Sequence, residues 1–227
     1  MIKKENYVEQ YYPGDLEVDG VYIDGKLNRL LISRYENGQK EYQGTYKNGK
    51  KTGLWTKWYK NGQKKEEDIY EDGILNGKCT DYYKNGNKNA EGTIKDGKIE
   101  GIVTRWYENG QKHSEETYKD GKEDGLCTCW YKNGRKHSEE TYKDGEQDGL
   151  CTYWYKNGRK VKEYNYKNDD FNGLYIGWYE NGKKSRKGIY KDGVEDGLWT
   201  VWWENGKQYT EIEYKDGIIC RLITKDN

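Results

Sequence analysis

The sequence is short of nearly everything an ordinary globular core is made from. It contains a single Phe and a single Met, and only 32% of its 227 residues are hydrophobic, so one closed core of aliphatic side chains is excluded. A single Pro leaves no rigid linker or hinge by which to divide the chain. No apolar run reaches the length of a spanning helix, and the opening Met1-Ile2-Lys3-Lys4-Glu5-Asn6-Tyr7 is basic without the apolar stretch of a signal peptide. The expectation is a cytoplasmic chain as it stands, at the cell surface or secreted if a signal peptide has been removed. An excess of charge is missing too, since Lys+Arg and Asp+Glu number 40 each. That balance removes the footprint of a nucleic-acid binder and of a polybasic membrane anchor, so neither a nucleic-acid partner nor an integral membrane segment is expected.

What the chain does have is Tyr (24) and Trp (9), set in a sequence that is 35% charged. Broad aromatic faces with a polar edge suit a thin sheet. A period of 24 orders them: Gly53, Gly77, Gly101, Gly125, Gly149, Gly173 and Gly197 are each followed by an aromatic pair and then Asn-Gly, as in Gly125-Leu126-Cys127-Thr128-Cys129-Trp130-Tyr131-Lys132-Asn133-Gly134. A fixed period in this range means stacked supersecondary units. Turn signals come twice per period, the Asn-Gly after the aromatic pair and an Asp-Gly or Asn-Gly after a recurrent Tyr, as in Tyr70-Glu71-Asp72-Gly73. They leave two strands of about six to eight residues, so each repeat is a β-hairpin. Residues 1–29 fall into the same register as a degenerate capping repeat, residues 30–220 hold the tandem hairpins, and 221–227 supply a closing strand within one repeat domain.

With Asn61-Gly62 as a two-residue type I′ loop, Tyr59 faces Lys64, Trp58 faces Lys65 and Thr56 faces Glu67. Alternation then puts Leu54, Thr56, Trp58, Lys65, Glu67 and Ile69 on a first face, and Trp55, Lys57, Tyr59, Lys64, Glu66, Asp68 and Tyr70 on a second. Stacked repeats turn each position into a ladder. Both faces are aromatic and no helical periodicity occurs to cover either, so the expected fold is all-β: an elongated, twisted, single-layer antiparallel sheet.

Chemistry is scarce. Cys79, Cys127 and Cys151 share one repeat position and alternate there with Trp55, Val103, Tyr175 and Trp199, which reads as a buried apolar site. Equivalent positions lie about 9–10 Å apart, too far for a disulfide. His113 and His137 take the place of Lys65 and so fall on the face opposite the cysteines, and no metal site or cofactor is expected. Glu67, Glu91, Glu115, Glu139 and Glu163 recur identically, which suits cross-strand bonding to the opposing Thr better than acid–base catalysis. Lys64 and its equivalents would cover Tyr59 and its equivalents. No phosphate-binding loop or nucleophile motif occurs. The chain is therefore expected not to be an enzyme.

The pattern Gly-Leu-x-Thr-x-Trp-Tyr-x-Asn-Gly-x-Lys followed by Tyr-Lys-Asp-Gly resembles the bacterial variant of the membrane occupation and recognition nexus (MORN) repeat over nearly the whole chain. The resemblance implies a β-hairpin solenoid with a binding or scaffold role, of a kind labelled an antitoxin component or found in surface-associated proteins. Two functional readings follow. One is a scaffold that meets a protein partner; the other is a surface module that binds choline, a glycan or the cell envelope through its aromatic ladders, with membrane-surface contact open. Candidate binding residues are Trp106, Trp130, Trp154 and Trp178 on the first face, with Tyr164 and Phe171 from the irregular stretch Tyr164-Asn165-Tyr166-Lys167-Asn168-Asp169-Asp170-Phe171, which departs from Tyr-Lys-Asp-Gly and adds acidic and aromatic residues.

Overall fold

A computed structural model describes residues 16–17, 22–23 and 26–224. All regular elements among them are strands. The chain folds as two compact units, Met1–Gly110 and Gln111–Asn227. Their boundary falls inside an Asn-Gly turn rather than a linker, so composition does not mark it. In each unit the successive long strands pair antiparallel with their neighbours in sequence, from Arg29–Arg34 to Gly101–Trp106 in the first and from Lys112–Lys119 to Ile218–Thr224 in the second.

The two turns of each repeat differ in kind. After the recurrent Tyr, both central residues take positive φ, as at Asn48 (51°) and Gly49 (76°), which makes this the type I′ loop. Where Asn168-Asp169 replaces the usual Asp-Gly the same turn is kept: Asn168 and Asp169 hold φ of 51° and 64°, and Asp can occupy the left-handed region. Asp169 N–H donates to Gln147 O at 3.0 Å, and Asp169 Oδ1 accepts from Gln147 N–H at 2.7 Å.

The Asn-Gly turn is not the two-residue loop expected. Gly62 alone has positive φ (83°), Gly62 N–H donates to Tyr59 O at 2.9 Å, and Tyr59 N–H donates to Gln63 O at 2.8 Å. This is a three-residue loop, a type I turn closed by a left-handed Gly. Asn61 instead bonds outward, its Nδ2 donating to Lys84 O of the next repeat at 2.8 Å while its Oδ1 accepts from Gln63 N–H at 3.1 Å. The register then slips between Lys57 and Trp58, so that Trp58 pairs with Lys64 while Lys57 pairs with Glu66 and Thr56 with Glu67. Lys64 thus belongs to the first face with Trp58, and Lys65 is the extra residue of a bulge.

Between repeats a wider offset recurs. Gln43 pairs with Thr56 but Thr45 with Thr52, leaving two extra residues on the incoming strand. The same offset separates Asp68↔Cys79 from Tyr70↔Leu75, and Glu116↔Cys127 from Tyr118↔Glu123. The recurrent Gly provides it, with positive φ at Gly53 (66°), Gly125 (125°) and Gly197 (69°) among others, a region that costs an L-residue dearly. Its counterparts one period outside the series are Arg29 and Arg221, and there the offset changes. Leu16 pairs with Ser33 and Tyr22 with Leu27 at one constant register, so the described pairs at 16–17 and 22–23 lack the offset of the other repeats. The remaining features read from this segment, Tyr11-Tyr12-Pro13-Gly14, Gly20 and Asp24-Gly25, lie outside the described residues. At the other end only one residue slips, and Ile223 rather than Thr224 faces Glu211; residues 225–227 also lie outside the described range.

The buried hydrophobic side chains occupy the second face. Trp55 (5% exposed) and Val103 (7%) lie there in the first unit, Cys151, Tyr164 and Trp199 in the second. Their sizes are matched to the strand before them. A Cβ on Gly188 would sit 1.9 Å from Trp199 Cδ2, and one on Gly44 2.1 Å from Trp55 Cδ2. Where that upstream residue is Asp68, Glu116 or Glu140, the side chain in the place of Trp55 is Cys79, Cys127 or Cys151. Where it is Tyr164, the two rings stack, with Tyr175 6.0 Å away at 7°.

Candidate interaction surface

On the first face three rows run along each unit. The first is open to solvent and largely aliphatic: Leu54 (55% exposed) and Ile102 (56%) in one unit, with Lys78 between them; Leu126 (49%), Leu150 (48%), Leu174 (41%) and Leu198 (55%) in the other. Beside it lies a row of buried Thr: Thr56, Thr80, Thr128 and Thr152. The third row is the half-buried Trp. These rings are covered by lysines at the repeat position of Lys64, each from the preceding repeat: Lys40 lies 5.4 Å over Trp58, Lys88 5.5 Å over Trp106, Lys112 5.6 Å over Trp130, Lys136 5.8 Å over Trp154 and Lys160 5.6 Å over Trp178.

These lysines cover Trp, not Tyr, because the bulge at Lys65 moves them to the first face. Most are also tied to the Glu three residues on: Lys112 to Glu115 at 2.5 Å, and Lys88, Lys136 and Lys160 to Glu91, Glu139 and Glu163. Glu67, expected to bond the opposing Thr56, has its carboxylate engaged by Lys64 at 2.6 Å and by Tyr82 Oη at 2.6 Å. Burial pushes Glu67 up, but these two bonds outweigh it and hold the carboxyl below its usual range.

The Tyr of each aromatic pair is structural. Tyr35 Oη donates to Trp58 O at 2.7 Å, Tyr131 to Trp154 O at 2.7 Å, Tyr155 to Trp178 O at 3.1 Å and Tyr179 to Trp202 O at 2.7 Å. Each bond reaches the next repeat, and Asn133 and Asn181 make parallel bonds to Lys156 O and Glu204 O.

The second face varies along the chain. In the first unit it carries Lys57, Glu66, Asp68, Cys79 and Asp81. Lys57 Nζ holds Glu66 at 2.7 Å. Burial, then the neighbouring Glu66, raises Asp68 to about 7, and burial with Asp68 raises the Cys79 thiol to about 12. In the second unit the face becomes aromatic from Tyr153 onward. His137, expected on the face opposite the cysteines, lies 4.6 Å from the Tyr131 ring and 6.3 Å from Tyr153, on the cysteine side, because it occupies the bulge. Among the described residues no group of three or more His, Cys, Asp or Glu is placed to hold a metal ion, and the cysteines are free thiols.

The six candidate residues do not form one site. Trp130, Trp154 and Trp178 line the first face of the second unit, and Trp106 belongs to the first unit. Tyr164, 4% exposed, and Phe171 lie on the opposite face, packed 5.1 Å from each other and against Tyr166 and Tyr190. Tyr164 therefore fills the interior and offers no contact surface. The exposed leucine row carries no mark in the sequence beyond its period, since a periodic Leu ordinarily signals burial.

No curated protein matches this chain. The MORN repeat variant matches it eight times in tandem, over residues 30–48, 51–72, 75–96, 99–120, 123–144, 147–168, 171–192 and 195–216. The matches begin after the N-terminal segment whose pairing departs from the rest, and each ends at a type I′ turn. The chain belongs to the MORN repeat variant family.

Proposed function

We propose that the protein is a non-enzymatic scaffold that docks a protein partner along the leucine row of its first face. The observation that carries this reading is the row itself. Leu126, Leu150, Leu174 and Leu198 are 41–55% exposed, one per repeat, at the ~9–10 Å spacing of every second strand. An exposed apolar row beside a charged rail is the kind of surface that partners cover: the leucines, with the Trp rings beyond the Thr row, supply burial, and the Lys–Glu pairs supply a polar rim. A MORN scaffold supports such a role, and the antitoxin-like role implied by the resemblance is the case in which that partner is a toxin. The choline or glycan reading has less support, because the ammonium of a lysine already occupies the place over each of these Trp rings that a ligand cation would take.

The test is crosslinking capture from lysate with the intact chain and with a Leu150→Lys/Leu174→Lys variant shown to be folded by circular dichroism. One protein captured by the first and lost by the second is expected. Equal capture by both would move the contact off this face, and capture of nothing by either would end the scaffold reading.

A further inference from the structure

Only one repeat places Cys at both variable positions of the second face. Elsewhere the pair reads Trp55/Lys57, Cys79/Asp81, Val103/Arg105, Cys151/Tyr153, Tyr175/Gly177 and Trp199/Val201; here it is Cys127/Cys129. We infer that Cys127 and Cys129 form a peroxide-sensitive dithiol, with Cys129 the attacking thiol and Cys127 the thiol that resolves it into an intrastrand disulfide.

The surroundings of the two sulfurs differ. Cys129 pairs with Ser114 on one side and Ser138 on the other, while Cys127 sits between Glu116 and Glu140. Ser114 and Ser138 are 3% and 2% exposed. Ser138 hydrogen-bonds Cys129, but Ser114 Oγ is buried without a partner. A buried hydroxyl left unpaired calls for an explanation, and an anionic sulfur, or the oxygen added to it, would be its acceptor. The hydrogen bond from Cys127, helped by Ser138, holds the Cys129 thiol at about 7 against the effect of burial. The same bond, then burial and the two carboxylates, keeps Cys127 protonated. One sulfur is poised as thiolate and the other holds the proton.

The geometry permits the bridge. Two residues along a strand span ~6.6 Å between Cα atoms, at the upper end of the range a disulfide closes. The ladder is already broken at the bulge after Cys129, which gives the backbone room to adjust. Both thiols are partly exposed, whereas Cys151 is buried.

In the first step Cys129 thiolate attacks the terminal oxygen of a hydroperoxide. An S–O bond forms, the O–O bond breaks, and the departing alkoxide or hydroxide takes a proton from water. Cys127 then gives up its proton and attacks the sulfenic sulfur; the S–S bond forms and the S–O oxygen leaves with that proton as water. Two thiols and one hydroperoxide become one disulfide, one water and one alcohol, the alcohol being a second water when the oxidant is hydrogen peroxide.

Exposed Cys220 is the internal reference. At pH 7 iodoacetamide should label Cys129 about tenfold faster than Cys220, because the thiolate is the reactive form. Limiting hydrogen peroxide should remove two hydrogens from the tryptic peptide 123–132, reversibly with dithiothreitol. In Cys127→Ser a dimedone adduct should appear on Cys129, and Ser114→Ala should slow Cys129 labelling without altering the circular dichroism of the fold. Labelling of Cys129 no faster than Cys220 in the unmodified chain would overturn the proposal. A sulfenate that persists with Cys127 present, or a disulfide to another cysteine, would overturn the resolving role.

Discussion

Adding one methyl group at Gly188 tests the size matching on the second face. The new Cβ would lie 1.9, 2.3 and 2.4 Å from Cδ2, Cε2 and Cγ of Trp199, whereas carbons in contact sit near 3.5–4.0 Å. The ring must retreat by about 1.5 Å. It has nowhere to go: Trp199 is fully buried, Arg186 lies 4.1 Å over its ring, Tyr190 stands 4.9 Å away, and its Nε1 donates to Ile189 O at 3.2 Å. Overpacking costs about 1–3 kcal/mol and losing that hydrogen bond about 1 kcal/mol. Since Gly188 does not need a left-handed φ, restricting the unfolded chain returns about 0.4–1 kcal/mol. Gly188→Ala should therefore cost about 2–3 kcal/mol in urea unfolding followed by far-UV circular dichroism. In a Trp199→Cys background, which copies the Glu140–Cys151 junction, the same change should cost nothing or stabilise slightly, giving a coupling of about 2–3 kcal/mol. A Gly188→Ala cost below about 0.5 kcal/mol, or equal costs in both backgrounds, would refute the matching argument.

Asp68 binds its proton more tightly folded than unfolded, its carboxyl being raised from 3.8 to about 7 by burial and by Glu66, so its contribution is complete below about pH 4 and lost as pH rises through 7. Asp68→Asn should stabilise the chain at pH 8 by about 1–2 kcal/mol and flatten the pH dependence between 4 and 7, with denaturation series at several pH values as the check. Tyr179→Phe removes the bond to Trp202 O and should cost about 1 kcal/mol in the same assay; no change would mean that the tyrosine ladder does not stabilise the stack. Among the offset glycines, Gly197 (φ 69°) would place a Cβ with nothing within 4 Å, while Gly77 (φ 136°) would place one 2.8 Å from Ile69 Cβ. Gly197→Ala should cost about 1 kcal/mol for its backbone alone and Gly77→Ala clearly more; the reverse order by urea unfolding would contradict the steric account.

The period of 24, the two turns and the antiparallel hairpins were legible because each has a residue-level cause that recurs eight times. The register at the Asn-Gly turn was not. Asn-Gly fits a two-residue loop on its own chemistry, and only the bond from Asn61 to the next repeat shows why Asn is used where its φ is ordinary. That one-residue difference carried Lys64 to the Trp face, and with it the cation cover of the rings. It also moved His137 to the cysteine side. The candidate tryptophans were placed on their face correctly. Tyr164 and Phe171 were not readable as interior, because an irregular spelling looks the same whether it changes a surface or a buried row. Size matching escaped the sequence as well, since it links residues on adjacent strands, Gly44 with Trp55 and Gly188 with Trp199, across an offset that pattern alone does not show.

That matching limits how such a chain can grow. The Tyr and Asn bonds reach only the following repeat, so a copied 24-residue segment brings its own bonds wherever it lands. The seam is what constrains it, because the side chain that ends one repeat must fit the one that opens the next. A repeat that opens with Cys and ends with Glu fits a copy of itself, while one opening with Trp199 can follow only a glycine. The identical stretches 112–121 and 136–145 each carry a Glu that meets a Cys, at Glu116–Cys127 and Glu140–Cys151. The repeats that have stayed most alike are those whose ends are interchangeable, and lengthening this protein by duplication is easiest in its middle.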